Sequence, residues 1–171
     1  QNMIHIEHLV SNGYVVVGID HSYDANIVYF DDGSYAEYQS DTHMLVNILY
    51  GDTVTYIERD DYTTEEIRDF RYFGLKNRSD DLLFVLNQIE LFKNNNNYKY
   101  FKNVNLERIG VFGHSYGGAT GAYSAFRDDR IDACINLDGW AIVIPETVIN
   151  DGIKVPLLYI GREKWNSKDN Y

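Results

Sequence analysis

Positive charge is scarce in these 171 residues: 15 Lys and Arg against 26 Asp and Glu leave a formal net charge of −11. Nucleic acid and anionic membrane surfaces would both repel such a chain, so neither is expected as a partner. Cysteine is nearly missing as well. The single Cys134 excludes an internal disulfide and, lying in an apolar run, is expected to be a structural thiol. Nowhere do 18 apolar residues follow one another, so no segment is expected to span a membrane, and the first residues lack the basic then apolar profile of a signal peptide. The expectation is a soluble chain, cytoplasmic or secreted.

What is present is enough for a core: 44% of the residues are hydrophobic, and the length suits one domain. The 15 tyrosines suit pocket walls and interfaces, although a genome-wide composition bias yields the same count. One stretch organises the rest, Ile109-Gly110-Val111-Phe112-Gly113-His114-Ser115-Tyr116-Gly117-Gly118-Ala119-Thr120. An apolar, β-favouring run enters a Gly-x-Ser-x-Gly turn and leaves through small residues suited to a closely packed helix, the context a nucleophile elbow requires. Ser115 is the expected nucleophile. Side chains at Gly113 and Gly117 are expected to collide across the turn, and Gly118 to let the helix lie close to the sheet. The backbone N–H of Tyr116 would then face the oxyanion of a tetrahedral intermediate.

Along the chain, Gln1 to Ser11 reads as a short helix closed by Asn12-Gly13, and Tyr14 to Ile19 as a strand buried on both faces. Asp20 and His21 follow at its carboxyl end, where they either shape a pocket rim or serve structure. Asn26 to Phe30 and Tyr35 to Tyr38 read as a hairpin around Asp31-Asp32-Gly33-Ser34, whose acids lack the spacing of a calcium loop. Residues 41–62 form a long connection, read as a lid or pocket wall or else a packed insertion. Thr63-Thr64-Glu65-Glu66 matches a capping box, and a second helix carries Leu82, Val85, Leu86, Ile89 and Phe92 on one face, ending at Asn94 to Asn97. Lys99 to Leu106 connects to the elbow strand. The elbow helix runs to about Phe126, and Ile131 to Leu137 and Val155 to Ile160 are further strands. Strands alternating with helices predict an α/β fold with a mostly parallel sheet.

A serine hydroxyl needs a base to take its proton, usually an imidazole oriented by a carboxylate. Asp138 ends the strand after the elbow helix, beside Gly139, and is the favoured acid; Glu163, after the next strand, is the alternative. The histidines are His5, His8, His21, His43 and His114, and none follows Asp138. His114 adjoins the nucleophile and is expected to pack or hydrogen-bond, so the base is not found among these residues. No metal and no organic cofactor is called for.

GHSYGGAT at the elbow, LDGW 23 residues after Ser115, and SNGYVVVGIDHSYDA followed by the YFDDG turn resemble the platelet-activating-factor acetylhydrolase family of α/β-hydrolases, as in a bacterial member. The resemblance implies a single α/β-hydrolase domain over residues 1–171, incomplete at both ends, and calcium-independent hydrolysis of short acyl esters, including sn-2 esters of phospholipids. By position it implies Ser115 as nucleophile, Asp138 as acid and the Tyr116 N–H as an oxyanion donor. Two other readings stay open: a binding module that kept the elbow and lost the base, or a hydrolase of thioesters, amides or polyesters.

Overall fold

A computed structural model describes residues 3–38, 64–139 and 143–162. The predicted first helix forms as α1, Met3–Ser11. It stops because Gly13 takes φ +86°, a left-handed conformation that glycine adopts without penalty. The Gly13 N–H then donates to the Val10 carbonyl and the Tyr14 N–H to that of Leu9, which satisfies carbonyls the helix end leaves open.

The strand expected over Tyr14 to Ile19 does not form. Residues 14–20 pair with no strand among the described residues, and Tyr14, Val15 and Val17 are exposed. A β-branched run favours extended backbone, but it becomes a strand only when another backbone completes its ladder. The hairpin does form. β1 (Ile27–Tyr29) pairs antiparallel with β2 (Tyr35–Glu37), and the turn is closed by Gly33 at φ +84°. Asp32 accepts hydrogen bonds from the Ser34 hydroxyl and N–H at 2.5 and 2.9 Å, and these bonds lower its carboxyl pKa. That makes it a turn residue.

The two helical stretches expected between residues 63 and 93 are one continuous helix, α2 (Thr64–Lys93). Nothing between them breaks a helix except Gly74, and a lone glycine costs only about 1 kcal/mol. The space is needed: a Cβ at Gly74 would lie 2.8 Å from the Tyr116 hydroxyl. Of the predicted apolar face, Ile89 is buried and Leu82, Val85, Leu86 and Phe92 are half-buried. A short 3₁₀ turn, Lys99–Phe101, follows, and the Phe92 ring packs tilted against Tyr98 and Phe101 at centroid distances of 4.2 and 5.4 Å. Residues 41–62, the expected lid or insertion, lie outside the described residues.

The sheet is parallel, in the order β3 (Ile109–His114), β4 (Ile131–Leu137), β5 (Leu157–Ile160). α3 (Tyr116–Arg127) crosses from β3 to β4, and α4 (Glu146–Asp151) lies between β4 and β5 in the chain. This is the α/β architecture expected from the alternation of strands and helices. The helix α4 was not anticipated, although Pro145 before it and Gly152 after it, at φ +74°, are ordinary start and stop signals.

α3 packs closely because its inner face is small. Gly118, Ala119, Gly121, Ala122 and Ala125 are buried, and a Cβ at Gly121 would touch Val111 and the Cys134 sulfur at 3.5 and 3.6 Å. Ala122, Ala125, Ile131 and Cys134 form one core cluster, joined by Leu82 and Leu86 of α2. Leu75, Ala119, Tyr123, Val143 and Val148 form the other. Burial pushes the Cys134 thiol up to about 11, as suits a packing residue. A buried pair of hydroxyls, Ser124 donating to Ser79 at 2.9 Å, ties α3 to α2, and Arg127 donates to Ser79 and Asp80 beside it.

Candidate active site

The site is built where β3 and β4 end side by side. In register, His114 lies opposite Leu137, so Ser115 and Asp138 are the next residue on each strand. Both leave the strand with left-handed backbone, Ser115 at φ +55° and Asp138 at φ +52°. Ser115 has ψ −123°, a region natural for glycine and strained for serine, costing on the order of 1–3 kcal/mol. It is held there from both sides. Its N–H donates to the Leu137 carbonyl at 2.9 Å, and its carbonyl accepts from Gly118 and Ala119 at 2.9 and 3.3 Å. The Ser115 residue is exposed at the tip.

Gly113 meets the steric demand expected of it: a Cβ there would lie 2.4 Å from the carbonyl carbon and oxygen of Gly117. Gly117 does not. Among the described residues nothing lies within 4 Å of a Cβ at that position, so the expected collision is one-sided and the crowded partner is Gly117 backbone. At Gly118 a Cβ would lie 2.4 Å from Asn136 Oδ1 on β4, the close approach of helix to sheet that small residues were expected to permit.

α3 opens at Tyr116, so the Tyr116 N–H is among the first donors of the helix, which no carbonyl of the helix itself can accept. The Tyr116 side chain points back into the protein. Its hydroxyl donates to the Arg71 carbonyl at 2.6 Å, Arg78 lies 4.8 Å over its ring, and burial pushes its pKa up to about 12. His114, expected to pack or hydrogen-bond, is exposed. His21 is bonded through Nδ1 to Asp81 of α2 at 2.8 Å, and neighbouring Asp24 pairs with Arg78, so this segment braces α2. Asp20 is exposed.

Asp138 is gripped by residues that reading the chain did not single out. Its Oδ1 accepts the Arg162 N–H at 3.1 Å, and its Oδ2 lies 3.3 Å from Arg162 Nε. Its own N–H donates to the Ile160 carbonyl at 2.6 Å. The next residue, Gly139, donates its N–H to Asn136 Oδ1 at 2.7 Å and accepts from the Tyr159 hydroxyl at 3.0 Å. The one sequence signal for this arrangement is Asn136, an amide inside the apolar run Ala133 to Leu137. Glu163, the alternative acid, lies outside the described residues. Among the described residues no group of three or more acidic, histidine or cysteine side chains is arranged to hold a metal, and no helix is long and apolar enough to cross a membrane.

A strained serine at a strand-to-helix turn, a helix N-terminus behind it and a carboxylate on the adjacent strand are parts that an acyl-transfer site would use. Known proteins resemble this chain accordingly. It is 29% identical over 112 residues to a platelet-activating factor acetylhydrolase of Gallus gallus, covering 59% of this chain and 26% of the relative. It is 32% identical over 129 residues to a probable 1-alkyl-2-acetylglycerophosphocholine esterase of Arthroderma benhamiae, covering 75% and 25%. The chain thus spans about a quarter of the length of these curated relatives. Among solved structures, a ferulic acid esterase from Streptomyces cinnamoneus superposes with a TM-score of 0.55 at 27% identity, over 88% of this chain and 35% of that one, in agreement with an α/β-hydrolase fold. The family model for platelet-activating factor acetylhydrolase, isoform II, matches residues 4–171, and the chain belongs to that family.

Proposed function

We propose that this chain carries the nucleophile and acid of a serine hydrolase that cleaves carboxylic esters, with short-acyl esters and phospholipid sn-2 esters as the substrate class. The observation that carries the reading is the backbone of Ser115: a non-glycine residue held at φ +55° and exposed at the tip of a strand-to-helix turn. Family membership and the esterase relatives support the choice of bond.

In this reading a base takes the Ser115 hydroxyl proton as Oγ attacks the ester carbonyl carbon. The carbonyl oxygen becomes an oxyanion that the Tyr116 N–H stabilises at the positive end of α3. The intermediate collapses, the alcohol leaves with the proton from the base, and the acyl group stays on Ser115. Water then attacks the acyl-enzyme, the base takes its proton, and the carboxylic acid departs. Asp138 orients the base. We assign the base to no residue of this chain, since no histidine follows Asp138. No metal or organic cofactor enters these steps.

The test is a fluorophosphonate, which phosphonylates an activated serine, applied to the full-length protein together with an assay on p-nitrophenyl acetate. Labelling at Ser115, and loss of labelling and hydrolysis in Ser115→Ala, is the expected result. An unlabelled, inactive protein would instead favour the binding-module reading. Loss of turnover in Glu163→Gln with none in Asp138→Asn would move the acid to Glu163.

A further inference from the structure

The turn bearing Asp138 is bonded by a buried amide on the same strand. Asn136 lies two residues earlier on β4 and is 2% exposed. Its Oδ1 accepts the Gly139 N–H at 2.7 Å, bending the chain back immediately after Asp138. The same oxygen faces the elbow: a Cβ on Gly118, in the first turn of α3, would lie 2.4 Å from it, and one on Gly139 would lie 2.1 Å from it. The amide is therefore wedged between two glycines, one on the segment that follows Ser115 and one on the segment that follows Asp138. Swinging it away from one glycine is opposed by the other. Gly139 is not in the left-handed region, so backbone conformation does not demand glycine there; the Asn136 amide does.

We propose that Asn136 is a positioning residue, whose buried amide fixes the distance between the Asp138 turn and the Ser115 elbow by filling the gap between Gly139 and Gly118. The proposal rests on the acyl-enzyme reading above. Displacements of about 1 Å in a catalytic constellation cost on the order of 100-fold in rate, so the residue that sets the gap acts on turnover more than on substrate binding. Tyr159, donating to the Gly139 carbonyl, and Arg162, on the Asp138 carboxylate, hold the other side of the same turn.

The experiment compares Gly139→Ala, Asn136→Ala and the double variant in the full-length protein, measuring kcat and KM on p-nitrophenyl acetate and the melting temperature of each. Gly139→Ala is expected to lower kcat about 100-fold with KM within about twofold. Asn136→Ala is expected to lower kcat about tenfold, since the turn loses its stop but gains no clash. In the double variant the added methyl occupies the space the amide left, and kcat should recover to the level of Asn136→Ala. If Gly139→Ala does not fold, recovery of a folded protein in the double variant is the same rescue read in the melting temperature. A Gly139→Ala variant as active as the parent, or a double variant no better than Gly139→Ala in either readout, overturns the proposal. Ser115→Ala and Asp138→Asn are run alongside. Should those two keep full activity, the acyl-enzyme reading fails, while the presence or absence of rescue in the melting temperature still judges the Asn136 wedge.

Discussion

The Ser115 N–H donates to the Leu137 carbonyl over 2.9 Å, which fastens the tip of one turn to the residue directly before Asp138. The next strand continues the pattern, with Asp138 N–H donating to Ile160 at 2.6 Å. Three parallel strand ends are thereby held in line by backbone donors. Both non-glycine residues with left-handed backbone in the site, Ser115 and Asp138, sit on this line. Regular pairing below them supplies the rigidity that keeps them in a strained conformation.

Replacing Ser115 by glycine should stabilise the protein while abolishing ester hydrolysis. The strain at φ +55° and ψ −123° is on the order of 1–3 kcal/mol, and the added backbone freedom of glycine in the unfolded chain returns about 0.5–1 kcal/mol of it. Urea unfolding of Ser115→Gly should show a net gain of about 1 kcal/mol. A loss of stability would mean that the serine conformation carries no strain.

The two outer glycines of the motif should respond oppositely. Gly113→Ala drives a methyl to 2.4 Å from Gly117 backbone, which cannot rotate away, so a loss of about 3 kcal/mol or more is expected. Gly117→Ala meets nothing within 4 Å among the described residues and lies in the first turn of α3, so it should leave stability unchanged or raise it by up to about 1 kcal/mol. Thermal melts of the two variants check this directly.

Tyr116→Phe deletes the hydroxyl that donates to the Arg71 carbonyl at 2.6 Å, for an expected loss of about 1 kcal/mol at neutral pH. The loss should shrink in alkali. Burial, opposed by Arg78, pushes the folded-state pKa up to about 12 from 10, so the folded protein keeps a proton that the unfolded chain releases. The contribution is complete below pH 10 and is lost as pH rises through 12. Tyr123, raised to about 12 by burial and the Tyr72 hydroxyl, is common to both proteins and cancels in the difference. Urea midpoints between pH 8 and 11.5 should converge; parallel curves would refute the assignment.

On the acid side, Arg130 holds Asp128 with Nε and a second guanidinium nitrogen at 2.9 and 2.5 Å, and these bonds set its carboxyl pKa below the usual value. A lowered carboxylate stabilises the fold above its unfolded pKa, about 4, and that contribution is lost as pH falls through the lowered folded-state pKa. Arg130→Ala should therefore cost about 1 kcal/mol at pH 6 and progressively less below pH 4. Arg130 also pairs with Glu90 of α2 at 3.1 Å, so Asp128→Asn is the cleaner companion variant. Equal losses at pH 6 and pH 2.5 would argue for packing instead of the ion pair.

By itself the sequence determined the strand, the turn and the helix around Ser115, the hairpin at Asp31 to Ser34, and the strands that carry Asp138 and Tyr159. Each of these is written locally, in glycines at required conformations, in β-branched runs and in small residues on one helix face. Tertiary structure decided the rest. Tyr14 to Ile19 has the composition of a buried strand, yet a ladder needs a second backbone, and composition does not name one. The two halves of α2 run on as one helix, and what Gly74 between them is for shows only in the fold, where it leaves room for the hydroxyl of Tyr116, more than 40 positions away in the chain. Tyr159 and Arg162 reach the Asp138 turn only through the register of β4 and β5, a relation between distant segments that no local pattern encodes.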